Sequence, residues 1–81
     1  MYTVVIDELV LKKDFKKIAS SDQRKLIRAI RKKLATKPRK YGDPLSGDFA
    51  GLWKLRVGQY RIIYKVEQDR IQVYVIIVGF R

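Results

Sequence analysis

The sequence predicts an α+β domain in which a helical hairpin packs on one face of a small, largely antiparallel four-stranded sheet, in the order β-α-α-β-β-β. Three observations carry this. The chain opens on a β-branched and aromatic stretch, Tyr2 to Ile6 (YTVVI). Two consecutive segments then place apolar residues at helical spacing. Finally, the C-terminal part holds three β-rich runs separated by turn dipeptides.

After the first strand, Asp7 or Glu8 can open a helix and favour its positive end. Leu11, Phe15 and Ile18 fall at i, i+4 and i+7 and predict its buried stripe, with Lys12, Lys13, Lys16 and Lys17 mostly off it. Ser20-Ser21-Asp22-Gln23 marks a break and restart. Ser20 with Gln23 matches a capping box, although Ser21 or Asp22 can cap as well. The second helix carries Leu26, Ile27, Ile30 and Leu34 on one face and basic residues around the rest. It stops near Lys37, because Pro38 disfavours helix in the residue before it. Residues 38 to 51 hold both prolines and read as a loop with local order from Tyr41, Leu45 and Phe49.

The three remaining strands are Leu52 to Val57, Tyr60 to Glu67 and Arg70 to Val78. Gly58-Gln59 suits a two-residue type II′ turn, which sets Arg56 opposite Arg61 and Lys54 opposite Ile63; Gln68-Asp69 makes the second turn. Alternation sends Trp53, Leu55, Val57, Tyr60, Ile62, Tyr64 and Val66 toward the helices, joined by Ile71, Val73, Val75 and Ile77. The opposite face receives Leu52, Lys54, Arg56, Arg61, Ile63 and Lys65, followed by Gln72, Tyr74 and Ile76. Like charges directly opposite cost stability. Glu67 is the one carboxylate expected near them, so the face lacks an internal counter-ion and calls for a ligand to supply one.

Composition narrows the ligand. Nineteen Lys and Arg against eight Asp and Glu give a net charge of +11 and a pI near 10.2, a field that attracts polyanions. With no histidine and no cysteine, the chain lacks disulfides, thiolate or imidazole metal sites, and Ser-His or Cys-His nucleophiles; no metal or cofactor is expected. No apolar run approaches the ~20 residues of a membrane span, and the N-terminus does not read as a signal peptide, so a single cytoplasmic domain over residues 1–81 is the expectation. Arg forks and Lys point charges suit a phosphodiester, and an interleaved Tyr74 suits stacking on unpaired bases. A helix-turn-helix over residues 8 to 37 is the weaker DNA alternative, because its second helix offers a uniformly basic face with little to read base edges.

The stretch LWKLRVGQYRIIYKV followed by IQVYVIIVGFR resembles the RelE/ParE superfamily of toxin–antitoxin toxins, in particular the RelE branch. The likeness rests on K-[LI]-R-x-G-x-Y-R-[VIL]-[VI]-Y with a distal V-G-x-R, and covers the whole chain in element order. It implies a toxin of a type II system: a ribosome-dependent endoribonuclease, or mRNA interferase, that cuts mRNA in the A site by 2′-OH attack and is neutralised by a cognate acidic antitoxin. By motif position the resemblance assigns Lys54, Arg61 and Arg81 to catalysis: Lys54 to activate the 2′-OH, Arg61 to hold the scissile phosphate, Arg81 to assist the leaving 5′-oxygen. Arg56, Lys65 and Tyr74 complete the RNA- and phosphate-binding face. Relatives usually carry a basic residue two positions before Lys54 and a tyrosine beyond the V-G-x-R arginine. Here Leu52 holds the first place and the sequence ends at Arg81; by the resemblance, either the protein is shortened, or it uses a reduced catalytic set, or it is a weak enzyme. A ParE-like DNA gyrase inhibitor, and an attenuated relative that keeps only antitoxin or RNA binding, are the alternatives.

Overall fold

Five strands form one mixed sheet in the computed structural model, which describes residues 1–80: β1 (Thr3–Ile6), β2 (Asp43–Pro44), β3 (Trp53–Val57), β4 (Tyr60–Glu67) and β5 (Gln72–Phe80). Their order is β1-β5-β4-β3-β2, with β1 parallel to β5 and every other pair antiparallel. The α+β reading therefore holds, with one strand more than the four expected. The addition is a two-residue edge, Asp43↔Lys54 and Pro44↔Trp53, and an outer edge is where a proline is tolerated in a sheet.

The helical layer covers one face. Asp7 opens it as expected: its Oδ1 accepts the Leu9 amide at 2.8 Å, the cap geometry for the first turn. The next turns are not regular α-helix, however. A wide π turn (Val10–Asp14) runs into a tight 3-10 turn (Phe15–Lys17). The changed pitch alters the buried set to Val10, Phe15 and Ile18, and leaves Leu11 exposed. Helix α1 (Ser20–Ala29) then starts from Ala19, without a side-chain cap. The capping box does not form. Gln23 turns backward instead, and its Nε2 donates to the Phe15 and Ile18 carbonyls at 2.7 and 2.8 Å, satisfying the end of the preceding segment. A second π turn (Ile30–Leu34) extends α1, and Leu26, Ile30 and Leu34 are fully buried beneath it. Pro38 begins the short α2 (Pro38–Tyr41), so the expected loop is partly helical. Among the described residues, no helix is long and apolar enough to cross a membrane.

Register follows the sequence through the first hairpin and departs in the second. Gly58 sits at φ 59° and Gln59 is not among the positive-φ residues, as a type II′ turn requires, and Arg56↔Arg61 pair directly. The second connection is longer than two residues: Glu67 pairs with Gln72, leaving 68–71 as the turn. Ile71, expected in the core, takes its left-handed corner at φ 52° and is exposed. Further along, the ladder steps from Tyr64↔Val75 to Ile63↔Ile77, so Ile76 bulges out of register. Beyond the bulge the faces exchange. Val78 joins Val73, Val75, Ile62 and Tyr64 in the core, while Ile77 goes to the opposite face. β1 ends opposite Val75, and past that point Asp14 substitutes for a strand: its Oδ2 accepts the Val78 amide at 3.0 Å.

Candidate nucleic-acid interface

On the face away from the helices, Arg56 and Arg61 are cross-strand partners at the middle of the sheet. Lys54 lies two residues before Arg56, opposite Ile63. Arg56 and Arg61 are exposed and Lys54 is half-buried. Among the described residues none of these three side chains forms an ion pair or a side-chain hydrogen bond. The edge strand does bring one unforeseen carboxylate, Asp43, into register with Lys54, but at no ion-pairing distance. Lys65 behaves differently. Its Nζ lies 3.7 Å from Glu67, which also meets Arg70 at 3.9 Å.

The structure separates Tyr74 from the arginines. Tyr74 pairs with Lys65, four residues along β4 from Arg61, or about 13 Å at strand rise. Its hydroxyl donates to Asp7 Oδ2 at 3.3 Å, and the Asp7 charge, then burial, raises its pKa. Tyr74 thus serves the junction of β1 with the first helical turn. Arg81, the third residue assigned to catalysis, lies outside the described residues.

The sequence reading missed what adjoins Arg61. A groove of about 360 Å³ is lined by Leu45, Phe49, Leu52, Ile63, Ile77, Gly79 and Phe80, with Arg61 among them. Its floor exists because the Ile76 bulge turns Ile77 and Gly79 outward, beside Ile63 and Arg61. Its wall is the 45–52 segment, folded back by Leu45 N–H to Leu52 O at 2.8 Å and by the 3-10 turn Gly47–Phe49. The chain leading into that segment is fastened from behind. The fully buried Tyr64 donates its hydroxyl to the Pro38 carbonyl at 2.5 Å, and burial, helped by Asp43, pushes its pKa up to about 12. Gly42 lies so close that a Cβ there would stand 1.7 Å from the Tyr64 hydroxyl oxygen. Leu52 was expected as an uncharged residue at a charged place, and Leu45 and Phe49 as residues that order the loop; here all three are part of an apolar wall. A larger concavity, about 770 Å³, lies on the basic side of α1 between Arg24, Arg28 and Arg31. Among the described residues, no group of His, Cys, Asp or Glu could hold a metal ion.

Residues 8–80 match the family described as the ParE toxin of type II toxin–antitoxin systems, parDE. The chain is a member of this toxin family. Among solved structures, the toxin is similar to the toxin–antitoxin complex RelBE2 from Mycobacterium tuberculosis, at 25% identity and a TM-score of 0.92, over 99% of this chain and 91% of the other. An Escherichia coli RelE mutant bound to an antitoxin RelBc peptide matches at 29% identity and a TM-score of 0.77, covering 99% and 83% of the two chains. A YoeB/ParE toxin from Agrobacterium tumefaciens shares the fold at 21% identity and a TM-score of 0.69, over 98% of each chain. No curated protein gives a significant match.

In chemical terms the toxin's arginine pair offers two planar forks on a rigid ladder, the geometry that binds phosphate oxygens in pairs. Lys54 stands on the same strand as Arg56 with its ammonium free of a carboxylate partner among the described residues. Such an arrangement can neutralise charge that builds up on a phosphoryl group without a metal ion.

Proposed function

We propose that the toxin belongs to the RelE branch and is a ribosome-dependent endoribonuclease that cleaves mRNA by 2′-OH attack on a phosphodiester. The observation that carries this is the Arg56–Arg61 pair with Lys54 beside it, like charges held at the sheet centre without a counter-ion among the described residues. Arg61 holds the scissile phosphate and stabilises charge developing on its oxygens, Lys54 takes the 2′-OH proton, and Arg56 adds electrostatic support. Arg81, next along the chain from Phe80, assists the leaving oxygen. Lys65, shared with Glu67, and Tyr74, tied to Asp7, have lesser parts on the binding face. The partner that silences the toxin is an acidic antitoxin, matched to the +11 field, and the setting is the cytoplasm.

The test is a translating extract to which the protein is added, followed by mapping of mRNA 5′ ends. New ends phased with codons are expected, and Arg61→Ala should abolish them. No such ends at any dose would refute the reading. The ParE description of the matched family, together with the apolar Leu52, favours a second reading: inhibition of DNA gyrase. A supercoiling assay separates the two, since inhibition without mRNA cleavage supports the second alone.

A further inference from the structure

We infer that the groove beside Arg61 is a nucleobase subsite, which seats the base attached to the phosphate that the arginine pair holds. Three properties of the groove select this occupant. Apart from Arg61, its lining, with Phe49, Leu52, Ile63 and Ile77 the largest groups on that face, presents no side-chain hydrogen-bonding atom, so the part of a ligand that enters beyond the arginine offers an apolar or aromatic face. Phe49, Ile77 and Phe80 are 61%, 49% and 57% exposed, a patch of large apolar surface on a chain of net charge +11. At the rim stands Arg61, a cation whose cross-strand neighbour is a second cation. A flat aromatic group joined to an anion fits all three. Its volume, about 360 Å³, lies in the range of small-ligand clefts.

With Arg61 engaged by the phosphate and no other side-chain donor or acceptor in the lining, the base is held by stacking on the Phe49 ring rather than read by hydrogen bonds, since Phe80 pairs with the core residue Tyr60 and its ring lies 4.9 Å from that of Tyr60. The subsite therefore favours purines over pyrimidines by ring area and tolerates either purine. This inference rests on the phosphate-binding reading of Arg61 and adds to it a base position and the residues that form it.

The test is titration of the whole protein with a short 2′-O-methyl RNA, which cannot undergo 2′-OH attack, carrying 2-aminopurine at one position at a time. Quenching at a single position is expected. An abasic sugar at that position, with the protein unaltered, should weaken binding about 5- to 160-fold, the range for one lost base stack. Phe49→Ala, at an exposed residue that the core does not need, should weaken it comparably and leave the thermal midpoint in place. Binding that depends on Arg61 but ignores both the abasic change and Phe49→Ala overturns the subsite while leaving the phosphate reading intact. Base-dependent binding with no cleavage in the translating extract keeps the subsite and refutes the endoribonuclease reading. If no oligonucleotide binds, or if only a co-expressed acidic partner perturbs the Phe49 resonances, the groove is a protein-docking face and the inference fails.

Discussion

Replacing Arg61 by Gln should stabilise the protein while disabling it. Directly opposed residues on an antiparallel ladder have Cβ atoms about 5 Å apart, and two guanidinium groups free to splay into solvent settle at roughly 8 Å. Coulomb's law in water then gives a repulsion of about 0.5 kcal/mol. Lys54, one strand position away on the same face, adds a similar or smaller amount. Gln keeps most of the methylene stem that lines the groove, so little packing is lost. For a domain of this size, about 0.5 to 1 kcal/mol corresponds to a rise of about 2 to 8 °C in Tm. The measurement is thermal unfolding followed by circular dichroism at about 0.01 M and again at about 1 M salt, where the screening length falls from about 30 to 3 Å. Stabilisation at low salt that vanishes at high salt is expected, together with a loss of cleavage on the order of 100-fold or more. A midpoint that falls at low salt, or a gain unchanged by salt, would refute the argument that the cationic row is held against its own repulsion.

Three further outcomes follow from contacts behind the site. Tyr64→Phe leaves the buried Pro38 carbonyl without its donor and should cost about 1–2 kcal/mol in urea unfolding. The same hydroxyl gives a pH signature: its folded pKa, about 12, lies above the ordinary 10.0. Its contribution is therefore complete below pH 10 and lost as pH rises through about 12, and the Phe variant should show a shallower alkaline decline. Gly42→Ala drives a methyl into the Tyr64 hydroxyl and should cost about 1–3 kcal/mol, less when combined with Tyr64→Phe; a double-mutant cycle in urea checks the coupling. Gln23→Ala deprives two carbonyls of their donor and should cost about 1–3 kcal/mol, read as a lowered urea midpoint with unchanged slope.

Where the sequence was legible, a local constraint with a single solution stood behind it. A two-residue turn at Gly58-Gln59 admits one register, so Arg56 opposite Arg61, and the cationic face with it, could be read directly. Where two neighbours were equally apolar, the pattern carried no sign. Val10 and Leu11 are both credible core residues, and only the π turn chooses between them. Ile76 and Ile77 present the same ambiguity, and the bulge decides it against strict alternation. That one step hid the groove, because Ile77 in its floor had been assigned to the core. Gln23 shows a further limit of pattern reading: the capping-box spacing is present, yet its amide finds two carbonyls of the previous segment and bonds there.

The bulge at Ile76 makes β5 two half-strands of opposite allegiance joined in series. The half before it takes its constraint from β1 and from the helices, through Val73 and Val75. The half after it gives one residue, Val78, to the core and its alternate positions to the outer groove. Substitutions at 77 and 79 can thus be explored for ligand preference with little tax on folding; a single-residue deletion at 76 would leave a regular ladder with the same inward and outward sets, whereas losing the bulge with Ile76 kept would exchange the two roles. In this chain the phase of β5 is therefore a setting separate from its composition: where the bulge falls, and not only which residues the strand holds, decides what faces the groove.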